Sequence, residues 1–397
     1  MKKEVIIVAD SLEIGGIERS LINMLDEFDY SNFNVDLMLY DKTGELLSSL
    51  NKEVNLVESQ EMCKSFSKPI KEVIKNGHLG IAYGRITAKL LSSIISKTKN
   101  ISETGYYQVQ YMYNLTHKFL KKEKKKYDIA IGYAWPHNYI LNNVDSKIKI
   151  GWIHTDYATI KVNKKSDLKM WSKLDYIIAV SKECANTFLK VYPELKEKMI
   201  VIENICGPNL IRSMAKMRLN TNLVKEKFNI LSIGRLCNAK GFDIAVKVLR
   251  RVHDKGYKNI VWNVIGFGPD EEKIKEIIRE NNLEKDFILH GKQINPYPYL
   301  KMCDLYVQPS RYEGKSVTVT EAQILAKPII ISNYETAKSQ INHMVDGYIS
   351  NLSVNDLADA IIKLYEDTKL REKFMKKCDS YNFDNKDELK KLYKLIS

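Results

Sequence analysis

The chain has 397 residues, 44% of them apolar and 28% charged, with 9 Pro and 18 Gly. That length suggests two or three domains, and the composition is globular, which excludes disordered, collagen-like and coiled-coil classes as descriptions of the whole. Lys and Arg number 62 against 49 Asp and Glu, a formal net charge of +13 that points to nucleic acid or to an anionic membrane surface.

A near-continuous apolar run over 4–10 predicts a buried parallel strand. It is too short for a secretory leader, and Asp10 and Glu13 follow it directly. A turn carrying Gly15 and Gly16 comes next, then a helix with Leu21, Ile22, Met24 and Leu25 as its apolar positions. Further strands are expected over 35–40, 128–133, 148–154, 175–181 and 199–202. The pattern restarts with strands over 228–234, 260–266, 287–290, 305–308 and 328–331. Helices over 243–253, 271–281, 297–303 and 317–325 separate them. Strands alternating with helices predict an α/β protein with a doubly wound parallel sheet in each half. The boundary falls near 204–229, giving an acceptor-side domain over 1–205 and a donor domain over 206–382. A terminal helix over about 383–397 is expected to pack back on the first. Two such domains facing each other would turn the carboxyl ends of their strands toward a central cleft.

No run approaches the roughly 20 apolar residues of a membrane span. The six Cys (Cys63, Cys184, Cys206, Cys237, Cys303 and Cys378) are scattered without a Cys-x-x-Cys pair. Neither a disulfide framework nor a structural zinc site is expected, and a reducing, cytoplasmic setting fits.

The charge is concentrated. Residues 62–127 hold 14 Lys and Arg against Glu72, Glu103 and Glu123, a local excess of 11. Within this stretch Ile81, Ile86, Leu90, Leu91, Ile94 and Ile95 recur at helical spacing among basic residues. One reading is an amphipathic helix lying on anionic lipid. The other is a solvated basic face over a stripe that meets the core. The candidate membrane or acceptor surface is Arg85, Lys89, Lys121, Lys122, Lys124, Lys125 and Lys126. Tyr106, Tyr107, Tyr111 and Tyr113 could stack on bases, sit at an interface or simply pack.

Chemistry concentrates at three strand-to-helix turns. Glycines at Gly15 and Gly16 let backbone approach a phosphate or sugar, although any tight turn favours Gly. Arg235 and Lys240 place two cations beside a helix start, suited to a diphosphate, against the alternative of solvated surface charges. The richest segment runs Pro309-Ser310-Arg311-Tyr312-Glu313-Gly314-Lys315-Ser316-Val317-Thr318-Val319-Thr320-Glu321. Glu313 precedes a helix and Glu321 lies two turns into it, and small residues between them expose amides at the helix start. Carboxylates accept hydrogen bonds from vicinal sugar hydroxyls, so this spacing suits a nucleotide-sugar gripped at both ends.

These segments stand in a fixed order. Ser232-Ile233-Gly234-Arg235-Leu236 with Lys240-Gly241 is followed by Val264-Ile265-Gly266-Phe267-Gly268-Pro269. His290-Gly291, Cys303-Asp304-Leu305, Pro309-Ser310, Glu313-x7-Glu321 and Ala326-Lys327-Pro328 come after. With Glu18-Arg19, His154-Thr155-Asp156 and Ala179-Val180-Ser181-Lys182 in the first half, the chain resembles the family 4 glycosyltransferases of the GT-B fold over nearly its whole length. Residues 60–125 match least.

The resemblance implies a retaining transfer from a nucleotide diphosphate sugar, UDP-linked in the first instance, to a surface-polysaccharide or lipid-linked acceptor at the inner membrane face. It implies that Arg235 and Lys240 bind the donor diphosphate, that Glu321 holds the ribose hydroxyls and that Glu313 meets the donor sugar. Amides of Ser316, Val317 and Thr318 would meet the phosphates. Backbone near Lys292 would meet the base, His154 would face the donor sugar, and Gly15 and Gly16 would close over the diphosphate. The usual Gly-Phe-Gly after the first Glu is here Gly314-Lys315-Ser316. No Asp-x-Asp motif occurs, so neither a metal nor another cofactor is expected. Three alternatives stand beside it: a nucleotide-sugar epimerase of GT-B type, a non-catalytic nucleic-acid or membrane binder, and a Rossmann oxidoreductase. The nucleic-acid reading lacks a reader motif, and the oxidoreductase lacks Gly-x-Gly-x-x-Gly after the first strand.

Overall fold

The computed structural model describes residues 2–58, 60–99, 104–217, 223 and 226–396. Glu103, counted above in the basic stretch, lies outside them. The chain divides into two compact units. The first holds Met1–Glu13, Leu21–Glu203 and Asp387–Ser397, and the second holds Ile14–Ser20 and Asn204–Lys386. The glycine turn, assigned by sequence to the first domain, therefore groups with the second.

The first unit is built on a seven-stranded parallel sheet. Its strands are β1 (Lys3–Ala9), β2 (Phe33–Leu39), β3 (Asn55–Leu56), β4 (Tyr127–Gly132), β5 (Ser146–Ile153), β6 (Tyr176–Ala179) and β7 (Met199–Val201). They lie in the order β3-β2-β1-β4-β5-β6-β7. Val5, Ile6 and Ile7 of the central β1 are wholly buried, which is why its sequence reads as a continuous apolar run rather than an alternation. The two-residue β3 has no legible period and was not anticipated.

The long helix Leu79–Lys99 packs on the helix Gly105–Thr116, where a Cβ on Gly84 would lie 2.5 Å from Thr116, and its Ile81, Ala82 and Ala88 are buried. Its Leu79, Tyr83, Ile86, Leu90 and Ile94 form a stripe turned outward, with Leu79, Tyr83 and Leu90 each more than 60% exposed. Much of the apolar spacing seen in the sequence is thus surface, not core. Arg85, placed by sequence on the lipid-facing surface, is instead half-buried. Its Nη1 donates to the carbonyls of Ser65 (2.6 Å) and Lys68 (2.5 Å), so it ties loops together inside the domain. Lys125 is likewise committed, pairing with Glu4 at 2.7 Å and Asp36 at 2.8 Å. Lys126 pairs with Asp145 at 3.3 Å at the surface. Lys89, Lys121, Lys122 and Lys124 are exposed. The tyrosines pack: Tyr113 stacks on Phe66 at 4.9 Å and Tyr106 tilts on Trp135 at 5.5 Å. No described helix is long and apolar enough to cross a membrane.

The second unit carries a six-stranded parallel sheet in the order β10-β9-β8-β11-β12-β13. The strands are β8 (Phe228–Ile233), β9 (Ile260–Ile265), β10 (Phe287–Leu289), β11 (Leu305–Gln308), β12 (Ile329–Ser332) and β13 (Tyr348–Ser350). The amphipathic helix Phe242–Asp254 buries Val246, Leu249 and Val252 against Trp262 of β9 and Leu357 and Ile361 of the helix Val354–Glu366. The terminal helix Leu389–Ile396 packs on the first unit, where Tyr393 stacks on Phe33 at 5.4 Å and accepts the Asp29 amide at 2.8 Å.

Candidate functional site

In both sheets the strand order reverses direction once, between β1 and β4 and between β8 and β11. Open α/β sheets bind ligands outside the carboxyl ends of the strands at such a point. In the second unit, β8 ends at Ile233 and delivers Gly234 and Arg235, and β11 ends at Gln308 and delivers Pro309 and Ser310. Chemistry-bearing residues nearly 80 positions apart in sequence are thereby brought to one edge.

Two glycines make the approach possible. Gly241 has φ +69°, and a Cβ there would lie 2.0 Å from the Pro309 carbonyl oxygen. Gly266 has φ +154°, and its Cβ would lie 1.9 Å from the Gly234 carbonyl oxygen. The close passage places Lys240 Nζ 2.5 Å from Glu313 Oε1. The same oxygen accepts Ser310 Oγ at 2.6 Å and Gln308 Nε2 at 3.2 Å. Behind them the Tyr306 hydroxyl donates to Gln308 Oε1 (2.5 Å) and accepts from Thr318 Oγ1 (2.8 Å). Arg311 forms a fork on Asp243 at 2.8 and 2.7 Å. Burial works against the Asp243 charge, and the Arg311 bonds outweigh it and hold this carboxyl below its usual value. Arg235 is exposed beside this cluster in sequence.

The helix Val317–Ile324 begins at Ser316 without a side-chain cap, leaving its first-turn amides to other acceptors. Of the three amides assigned to phosphate, that of Ser316 is already used, since it donates to Gln340 Oε1 at 2.8 Å. Gln340 Nε2 donates back to the Ser316 carbonyl at 2.8 Å, so one glutamine pins the helix start. The amides of Val317 and Thr318 remain the candidates. Lys292 lies 4.0 Å above the Phe267 ring, on the chain that follows β10.

Glu321 is 1% exposed, one turn inside that helix's buried face. Its Oε1 accepts Tyr297 Oη at 2.8 Å and Arg19 Nη1 at 3.3 Å. Its Oε2 is enclosed and has no partner among the described residues. Gly16 comes close to the same helix, and a Cβ on it would meet Val317 at 3.9 Å. Arg19, Tyr297, Gln308 and Gln340 were not identified as site residues by sequence. Only Arg19 carried a signal, its place in Glu18-Arg19 after the glycines.

In the first unit, His154 follows β5 and packs on the Tyr133 ring at 4.7 Å. Burial pulls it down to about 4, so it is neutral at pH 7, and its Nε2 has no partner among the described residues. His253, His290 and His343 are bonded to the Ile260 carbonyl, to Asn263 and to the Ile349 amide, as structural histidines are. Among the described residues no three His, Cys, Asp or Glu side chains gather to hold a metal ion.

Comparison with known proteins places this geometry. Residues 213–380 match the family model described as glycosyl transferases group 1. A glycosyltransferase of Methanocaldococcus jannaschii is 29% identical over 170 residues, 42% of each chain. A poly(ribitol-phosphate) alpha-N-acetylglucosaminyltransferase of Staphylococcus aureus is 30% identical over 144 residues, 36% of this chain and 29% of that protein. The matched stretch thus spans less than half the length of these relatives. In fold, the chain aligns over its whole length with S. aureus TarM, solved with fondaparinux, alpha-GlcNAc-glycerol and UDP (TM-score 0.69, 18% identity, all of both chains). It aligns equally with Anabaena HepE in complex with UDP and glucose (TM-score 0.71, 15% identity, all of both chains). Two Rossmann-like parallel-sheet domains of GT-B type are common to all three.

Proposed function

Since its residues 213–380 match the model of the glycosyl transferases group 1, we propose that this chain is a glycosyltransferase that takes a sugar from a UDP-linked donor and places it on a surface-polysaccharide or glycolipid acceptor. The observation that carries the reading is the Glu321 carboxylate, buried with one oxygen unpartnered eight residues beyond Glu313 of the Lys240–Glu313 pair. A ribose hydroxyl satisfies that oxygen, a diphosphate draws on Lys240, Arg235 and the helix start, and the donor sugar meets Glu313. Relatives named for sugar transfer to poly(ribitol-phosphate) and to a diphospho-undecaprenol-linked sugar support the acceptor class.

The transfer retains the anomeric configuration and needs no metal. The bond between the donor C1 and the diphosphate oxygen breaks first. Arg235, Lys240 and the amides of Val317 and Thr318 stabilise the leaving diphosphate. The acceptor oxygen then bonds to C1 from the same face, and its proton passes to a diphosphate oxygen. The acceptor is lipid-linked, and the first unit works at an anionic membrane surface.

The test is transfer assayed with a panel of nucleotide diphosphate sugars, scored by nucleotide release and by the anomer formed. Arg235→Ala and Lys240→Ala each lower turnover at saturating donor at least about tenfold, equivalent to about 1.4 kcal/mol of transition-state stabilisation. Unchanged turnover in both, or an inverted product, removes this assignment. Full activity in EDTA is expected. Loss that Mn²⁺ restores overturns metal independence.

A further inference from the structure

We infer that Arg19 is a positioning residue for the donor nucleotide: by occupying one oxygen of Glu321 it aims the other at the ribose. This deepens the donor-site reading above and rests on it. Arg19 is 8% exposed, deep for a guanidinium, and it has three partners within the second unit. Nη1 donates to Glu321 Oε1 at 3.3 Å and to Tyr297 Oη at 3.1 Å, and Nη2 donates to the Ile294 carbonyl at 3.4 Å. The guanidinium also lies 5.3 Å over the Tyr297 ring.

The consequence for Glu321 follows from counting acceptor sites. A carboxylate oxygen offers about two lone-pair directions. Those of Oε1 are taken by Tyr297 and Arg19. Both of Oε2 are open, and an enclosed acceptor without a donor is unfavourable. Two neighbouring hydroxyls on one ring supply the missing donors. Without Arg19 the carboxylate could rotate, and its buried charge would stand uncompensated beside an incoming diphosphate. Nη2 extends the grip to Ile294, two residues past Lys292, on the loop the family resemblance gives to the base. One side chain thus ties the ribose acceptor to that loop. The glycine turn gains a second purpose. The Arg19 amide bonds to the Gly15 carbonyl at 3.0 Å, and Gly16 runs against Val317, so the turn delivers Arg19 to the helix that bears Glu321.

The experiment compares binding of UDP and of 2′,3′-dideoxy-UDP by calorimetry. Wild type is expected to prefer UDP at least tenfold. Arg19→Met, which keeps much of the volume, is expected to weaken UDP at least tenfold and to leave dideoxy-UDP within threefold, so that the preference collapses. A merely structural role weakens both ligands alike and keeps the ratio, and that result overturns the proposal. Should Arg19→Met fail to fold, Tyr297→Phe removes the other donor to Oε1 and must reduce the preference at least threefold, and an unchanged ratio there overturns it equally. Wild type that binds neither nucleotide overturns the donor-site reading and this proposal with it. Wild-type preference retained in a folded Arg19→Met overturns this proposal alone.

Discussion

Lys240 and Glu313 neutralise each other at 2.5 Å, so a diphosphate that recruits Lys240 must leave Glu313 otherwise supported. Ser310, wholly buried, donates to the same carboxylate oxygen at 2.6 Å and Gln308 at 3.2 Å. Hydrogen bonds to charged groups contribute about 1.5–3 kcal/mol. Ser310→Ala is therefore expected to lower kcat/KM for the donor about tenfold or more in steady-state assays, while Thr320→Ala, on the helix Val317–Ile324 that follows, should stay within twofold. The two glutamates could be read from sequence because they sit eight residues apart around one strand-to-helix turn, and Lys240 because it follows Arg235 closely at another. The Arg19–Glu321 pair could not, because its members are separated by about 300 positions and only the topology joins them. The Gln340 clamp on Ser316 escaped for the same reason, and it removes one of the amides that the spacing alone had offered to phosphate. Arg85 was misplaced because a helical period tells which face a residue is on, not whether a neighbouring loop covers that face.

Elements show how packing and surface chemistry diverge. Gly132 of β4 and Gly151 of β5 are register partners, and together they open a slot in the first sheet. The His137 ring fills it, edge-on to Trp171 at 4.6 Å. A Cβ on Gly132 would lie 2.4 Å from His137 Nδ1. The ring is enclosed and has nowhere to go, so Gly132→Ala should cost about 1–3 kcal/mol in urea unfolding. The helix Leu79–Lys99 presents the opposite case. Its outward stripe of Leu79, Tyr83, Ile86, Leu90 and Ile94 is flanked by exposed Lys89 and Lys97, a pairing that suits anionic lipid. Replacing Tyr83, Ile86 and Leu90 by Ser should reduce co-sedimentation with phosphatidylglycerol vesicles at least fivefold without lowering the melting temperature, since these side chains lie outside the core. Arg85 should not be used for this comparison, because its loss would loosen the loops at Ser65 and Lys68. Unchanged sedimentation in the triple variant would remove the membrane reading of this face.

At the scale of the molecule, the two units differ in what stabilises them, and they should respond to different conditions. His137 is 2% exposed and neither ring nitrogen has a partner among the described residues. Burial, with nearby His154 second, pulls it down to about 3. In the unfolded chain the same group titrates near 6.5. Above that value neither state is protonated and the group has no pH effect. Below it the unfolded chain takes up a proton that the folded unit refuses, so stability falls from about pH 6.5 down to about pH 3. Over the full window the loss from this residue is on the order of 5 kcal/mol, with His154 adding in the same direction. In the second unit burial also pulls His290 down, but His290 and His253 each have a hydrogen-bond partner. On the proposed donor site, nucleotide should act on the second unit instead, adding about 2.7 kcal/mol at a hundred times its dissociation constant. Scanning calorimetry from pH 7.5 to pH 5 should therefore show a transition that falls with acid and is insensitive to UDP, and another that rises with UDP and changes less with acid. His137→Phe, apolar and similar in size, should flatten the acid dependence of the first transition alone. A single transition that shifts equally with both variables would mean that the units unfold as one, and the histidine slot would then govern the acid stability of the whole chain.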